Sequence, residues 1–142
     1  MIVLDANIVL YAYDTVPQQH QKARALLQSM LSANEPVGLP WRTISAFLRI
    51  MTNTRLPGQR FTPDEAAEIV NRWLERPVVR MLTPGDDHWS VFRQMVIDGQ
   101  ASGALISDAE IAALTIEYGG VLYTSDRDFS RFPGLNWKNP LV

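Results

Sequence analysis

The sequence predicts one α/β domain whose short, mainly parallel sheet is covered by helices on both faces. Three observations predict it. Short apolar runs alternate with segments of helical period along the whole chain. The first run, residues 2–4, is apolar at every position, as a central strand buried on both faces requires. The chain has 142 residues, which suits a single domain spanning 1–142 with a core of its own. Strands separated by helices then imply βαβ crossovers and parallel pairing.

The elements follow in order. After the strand at 2–4, a short helix is expected over 8–12. Over 18–31, Ala23, Leu26, Leu27, Met30 and Leu31 form one helical stripe. Residues 36–39 read as a short strand, and 41–53 as a helix with Ile44, Phe47, Leu48 and Met51 on its buried side. Pro57 and Gly58 break the chain. Thr62-Pro63-Asp64-Glu65 then starts a helix: Thr62 can cap it, Pro63 suits the first position, and Glu65 completes a capping box. That helix runs to about residue 75, before Pro77. A strand over 78–82 and a helix over 88–97, ended by Gly99, come next. Ser107-Asp108-Ala109-Glu110 reads as a second capping box opening a helix over 107–118, and Gly119-Gly120 ends it. A strand over 121–123, one turn over 128–132 and an edge strand over 135–137 complete the chain. There is no internal repeat, low-complexity tract or linker.

Composition narrows the chemistry. Apolar residues make up 46% and charged residues 20%, a globular profile. With no cysteine, disulfides, thiolate metal sites and thiol nucleophiles are excluded, which fits a reducing compartment. The N-terminus lacks a basic leader, and no run approaches the roughly 20 apolar residues of a membrane span. A soluble, cytoplasmic protein is expected. The net charge of −2 argues against gripping nucleic acid by overall positive charge, so any such contact needs a local patch and a metal to offset nearby carboxylates.

In open parallel sheets, sites form beyond the carboxyl ends of the strands. That rule singles out Asp5, just after the first strand, and Asp126, just after the strand at 121–123. Asp108, at a helix start, is the third candidate. Converging acids repel one another and need a proton or a cation. An all-oxygen cluster suits Mg²⁺ or Mn²⁺, which keep several waters and share their remaining positions with phosphate. Such an ion activates water and orients a phosphodiester. Each acid also has a structural reading. Asp108 favours the helix dipole where it stands and Asp126 can cap the turn that follows, whereas Asp5, straight after a buried strand in Asp5-Ala6-Asn7, is the hardest to explain as structural.

The combination is more specific than its parts. Ile2-Val3-Leu4-Asp5-Ala6-Asn7 resembles the opening of PIN domains. Ser107-Asp108-Ala109 with Ile111-Ala112-Ala113-Leu114 resembles their central acidic helix, and Thr124-Ser125-Asp126-Arg127-Asp128-Phe129 their late T-x-D-x-D-F segment. Arg131-Phe132-Pro133-Gly134-Leu135, Trp137 and Asn139-Pro140-Leu141 are similar to a VapC-toxin subgroup common in mycobacteria, as are Leu39-Pro40-Trp41, Phe47-Leu48-Arg49 and Pro77-Val78-Val79. The resemblance spans nearly the whole chain. It implies a three-layer α/β/α fold and Mg²⁺- or Mn²⁺-dependent RNA cleavage leaving a 3′-hydroxyl and a 5′-phosphate. It also implies a homodimer, a cognate antitoxin that plugs the site, and no organic cofactor. By position, Asp5, Asp108 and Asp126 become the metal-site acids and Asp128 a fourth. Asn7 and Thr124 would hold carboxylates in place. One departure stands out: where PIN domains commonly carry a glutamate on the third helix, this chain has Ala46. A second metal would then be held weakly.

Arg42 and Arg49, seven residues apart, share a helix face and are expected to approach RNA phosphates, or else to lie on a solvated face. Arg127 either contacts RNA or ion-pairs with its flanking aspartates. His20 and His88 lack a partner motif. Two rival readings remain. A haloacid-dehalogenase-type phosphatase also places an aspartate after its first strand, but wants a second one where Asn7 stands, and a downstream lysine, of which only Lys22 and Lys138 exist. A non-catalytic PIN-like binder of RNA or antitoxin is favoured by Ala46.

Overall fold

The computed structural model describes residues 1–142. Five strands form one sheet: β1 (Ile2–Leu4), β2 (Val37–Pro40), β3 (Val79–Leu82), β4 (Val121–Tyr123) and β5 (Trp137–Lys138). Their order is β3-β2-β1-β4-β5, and every neighbouring pair is parallel. Six helices complete the chain: α1 (Ala6–Tyr13), α2 (His20–Ser32), α3 (Trp41–Met51), α4 (Pro63–Leu74), α5 (His88–Asp98) and α6 (Leu105–Glu117). A 3₁₀ turn covers Arg127–Arg131.

β1 lies at the centre because its side chains are apolar on both faces. Ile2 pairs with Val37 on one side and Val121 on the other. Side chains alternate across the sheet. Ile2 and Leu4 enter a core shared with α1, α2, α3 and α4, including Ile8, Phe47 and Trp73. Val3 enters a second core with Met95 of α5, Ala109, Ala112 and Ala113 of α6, and Phe129 and Phe132. The three layers are thus four helices, the sheet, and two helices with the 3₁₀ turn. No helix is long and apolar enough to cross a membrane.

Most elements stand within a residue or two of their expected bounds. The first capping box forms: Thr62 Oγ1 accepts the Glu65 N–H at 3.2 Å, and Glu65 Oε1 accepts the Thr62 N–H at 2.8 Å. The second does not. α6 begins at Leu105, with Ala104 before it making no side-chain cap. Partial burial of Leu105 and Ile106 draws two extra residues into the helix, so Ser107 lies inside it. Glu110 turns instead to Arg42 on α3. The last strand is also displaced: Leu135 is buried in the second core, and pairing with β4 falls on Trp137 and Lys138.

Gly99, just past α5, marks a close approach. A Cβ there would stand 2.6 Å from Phe132 Cδ1 and 2.7 Å from the Met95 carbonyl oxygen. Because one of these atoms is backbone, a side-chain rotation does not clear the site. Gly99→Ala is expected to cost about 1–3 kcal/mol by overpacking, read as a lower midpoint in urea unfolding; an unchanged midpoint would contradict the tight fit.

Candidate metal centre

The chain leaves β1 toward β2 on one side and returns as β4 on the other. This reversal opens a crevice beyond the carboxyl ends of β1 and β4, where parallel sheets place their sites. Asp5 follows β1 directly, residues 124–128 follow β4, and the first turn of α6 brings Asp108.

Asp5 is buried and caps α1. Its Oδ1 accepts the Ala6 N–H at 2.8 Å; its Oδ2 accepts the Thr124 hydroxyl at 2.7 Å and the Asn7 amide at 3.1 Å. The buried Thr124 hydroxyl in turn accepts Asn7 Nδ2–H at 3.1 Å and the Asp126 N–H at 3.0 Å. Asn7 Oδ1 accepts the Ser125 N–H at 3.2 Å. Asn7 and Thr124 thus tie Asp5 to the strand-end segment that carries Asp126. Thr43 on α3 adds a further tie, donating to the Leu4 carbonyl at 2.7 Å.

Asp108, Asp126 and Asp128 each bring one carboxylate oxygen within 4.8 Å of the others. Asp5 is outside this tight group, with both oxygens already bonded, whereas Asp128 is inside it. Asp126 plays two parts: Oδ1 accepts the Asp128 N–H at 2.9 Å and caps the 3₁₀ turn, while its other oxygen has no hydrogen-bond partner. The capping role and the cluster therefore coexist.

The electrostatics favour a cation. Burial, more than any other effect, raises the Asp5 pKa; the Asp126 charge adds to it, and hydrogen bonds from Thr124 and Ala6 oppose it. Asp108 is pushed up to about 6, first by burial and then by repulsion from Asp126, Asp5 and Asp128, with Arg131 opposing. An all-carboxylate set without histidine or cysteine fits a hard, oxygen-seeking ion such as Mg²⁺ or Mn²⁺.

The arginines divide. Arg42 Nε pairs with Glu110, linking α3 to α6. Arg49 is exposed and makes no ion pair. Arg127 is also exposed, and the expected ion pair with its flanking aspartates does not form. In a 3₁₀ turn, neighbouring side chains point about 120° apart, so Arg127 is carried off the face that bears Asp128. The histidines are structural: His20 Nδ1 meets the Tyr11 carbonyl at 2.8 Å, and His88 pairs with Glu117. Two residues that the sequence reading placed only in a capping box and a family motif matter here, Glu110 and Arg131. The three-residue spacing of Asp128 and Arg131 was the available signal for the second.

The sequence profile of the PIN domain matches residues 2–135. The chain belongs to the PIN-domain family. This PIN domain is 36% identical to the "VapC ribonuclease Mb2897" of Mycobacterium bovis over 141 residues, covering 99% of this chain and 96% of that one. It is 34% identical to "Ribonuclease VapC33" of Mycobacterium tuberculosis, covering 99% of each. Among solved structures, VapBC-1 from nontypeable Haemophilus influenzae shares the fold, with a TM-score of 0.70, 21% identity and full coverage of both chains. So does Mycobacterium tuberculosis VapC20, described as a sarcin–ricin loop cleaving toxin, with a TM-score of 0.66, 19% identity and coverage of 96% and 99%. The chain is thus a PIN domain of the mycobacterial VapC type, and the phosphatase reading loses its basis. Asn7, where that rival wanted a second acid, is bonded to Asp5 and Thr124.

Proposed function

We propose that the protein is a Mg²⁺- or Mn²⁺-dependent endoribonuclease, the cytoplasmic toxin of a toxin–antitoxin pair, working as a homodimer and restrained by a cognate antitoxin. The observation that carries this reading is the convergence of Asp108, Asp126 and Asp128 at the sheet's switch point, with Asp5 behind them. Relatives named ribonucleases along almost the full chain support RNA as the substrate. Neighbours solved as VapBC assemblies support the antitoxin. The exposed Trp41 and Trp89 offer apolar surface for a second copy or the antitoxin.

Asp108, Asp126 and Asp128 would hold the ion, with Asp5 adding a fourth negative charge. When bound, Mg²⁺ or Mn²⁺ supplies a Lewis acid that polarises the phosphodiester and lowers the pKa of water. The chain's own residues do the positioning. Asp5, through Thr124, orients the segment that bears Asp126, and the Asp126–Asp128 hydrogen bond sets the spacing of those two acids. Arg49 and Arg127 are exposed, unpaired cations for the RNA backbone, and Arg42 would join them by leaving Glu110.

The test is direct. Purified protein with Mn²⁺ is incubated with total RNA, with and without EDTA, and cut ends are mapped. Specific ends that vanish with EDTA and return with excess Mn²⁺ are expected. A metal-loaded sample that binds RNA but leaves it intact would decide for the non-catalytic reading, which Ala46 favours. Ala46 follows Thr43 by three residues and Arg42 by four, so it shares their side of α3. Ala46→Glu is expected to tighten Mn²⁺ binding by about tenfold, the effect of one added carboxylate ligand. Unchanged affinity in calorimetry would count against that placement.

A further inference from the structure

We propose that Arg131 is a phosphate-binding residue for the RNA strand beside the acidic cluster, its guanidinium docked on the Gln100 carbonyl. The inference rests on the nuclease reading and adds a residue to it. In a 3₁₀ turn, side chains three apart eclipse one another. Asp128 and Arg131 are three apart in the turn Arg127–Arg131, so they share one ridge, and Asp128 is a member of the carboxylate group. Yet Arg131 forms no ion pair with any of those acids. Its Nη1 donates to the Gln100 carbonyl at 3.4 Å instead, leaving its other N–H groups without protein partners.

The docking point is built rather than incidental. Gln100, with φ 48°, closes α5 in a Schellman cap: its N–H donates to the Ile97 carbonyl at 3.1 Å and the Ala101 N–H to the Val96 carbonyl at 3.0 Å, so the helix end fixes the course of the Gln100 backbone. The close approach of Gly99 to Phe132 fixes the distance between the α5–α6 connection and the 3₁₀ turn. Phe132 and Phe129 are buried, so the backbone on either side of Arg131 is anchored while its own side chain is exposed. An exposed guanidinium with spare donors, held next to a metal-binding carboxylate group without being neutralised by it, is arranged for a phosphate oxygen.

The experiment compares wild type, Arg131→Gln and Arg131→Lys in two arms. In the first, Mn²⁺-supported cleavage of total RNA is followed at several salt concentrations. In the second, binding of a fluorescein-labelled oligoribonucleotide is measured with Ca²⁺ replacing Mn²⁺. Arg131→Gln is expected to lose about 10- to 100-fold in cleavage efficiency, the scale of one charge-assisted hydrogen bond. It should also lower the salt dependence of binding by about one counterion. Arg131→Lys should restore the salt dependence but only part of the cleavage, because it lacks the planar fork. Mn²⁺ affinity in calorimetry should not fall, since a positive charge near the ion has been removed. Wild-type cleavage and binding by Arg131→Gln, or a parallel loss of Mn²⁺ affinity and fold, would overturn the proposal. If wild type itself leaves RNA intact, the nuclease reading falls, and the binding arm alone judges Arg131.

Discussion

Asp5→Asn is expected to reduce Mn²⁺-supported RNA cleavage by about 10³-fold or more, because an interaction worth several kcal/mol at the reacting phosphate is lost. The substitution removes one negative charge from the crevice and also misplaces the rest. Asp5 accepts hydrogen bonds at both oxygens, from Ala6 on one and from Thr124 and Asn7 on the other. An asparagine must turn its amide nitrogen toward one of those sides. Turned toward Ala6, it faces an N–H donor. Turned toward Thr124 and Asn7, it faces an amide donor and a hydroxyl already accepting two hydrogen bonds. The first orientation loses the cap of α1, and the second loses the Thr124 contact that orients Asp126. The fold itself is expected to persist, since burial disfavours the Asp5 anion in the first place. Cleavage rates and thermal unfolding measured on the same sample separate the two effects. An Asp5→Asn protein that cuts at the wild-type rate would remove Asp5 from the site.

The second large effect is a stability that depends jointly on pH and metal. Asp108 and Asp5 have raised pKa values in the folded chain. Between the ordinary carboxylate value near 3.8 and about 6, the folded state therefore binds more protons than the unfolded one. The slope of unfolding free energy with pH is negative in that window. Metal-free protein should be more stable at pH 5 than at pH 7.5, because Asp108 ionises between the two and the raised pKa of Asp5 acts in the same direction. Divalent metal should reverse the trend by supplying the missing positive charge. At a hundred times its dissociation constant, it adds about 2.7 kcal/mol, or roughly 5–11 °C in Tm for a chain of this size. The measurement is a series of melting curves at pH 5, 6 and 7.5 with EDTA or Mn²⁺. A metal-free Tm that rises from pH 5 to 7.5, or that Mn²⁺ leaves unchanged, would contradict the electrostatic picture. Asp108→Asn should weaken the pH trend between pH 5 and 7.5 and raise the metal-free Tm.

How legible this was in the sequence depends on the range of the interactions. The all-apolar run at Ile2–Leu4 specified a central strand, because only a position between two neighbours buries both faces. Thr62 to Glu65 specified a helix start, because that capping box is a local exchange of hydrogen bonds. Ser107 to Glu110 has the same spelling but does not cap α6, since tertiary burial of Leu105 and Ile106 moved the boundary. Asp5 and Asp126 were found from strand ends, Asp108 from a helix start and Asp128 from the family resemblance, yet which three are closest was not. That depended on Asp5 spending both oxygens on hydrogen bonds from neighbours, including one 119 residues away. Arg127 drew attention by sitting between two aspartates, whereas the turn geometry favours Arg131. Sequence adjacency and spatial adjacency differ most in tight turns.

The partnership of β1 with β4 has a consequence for biosynthesis. Val3 and Leu122 are side-by-side partners. On a ribosome adding about 5–20 residues per second, their emergence is separated by roughly 6–24 s. Through that interval the first strand has an open edge, and Asp5 lacks both Thr124 and the Asp126 segment. Catalytic competence therefore arrives late in translation, as a property of the nearly finished polypeptide, and a nascent fragment ending before residue 121 is inert by construction.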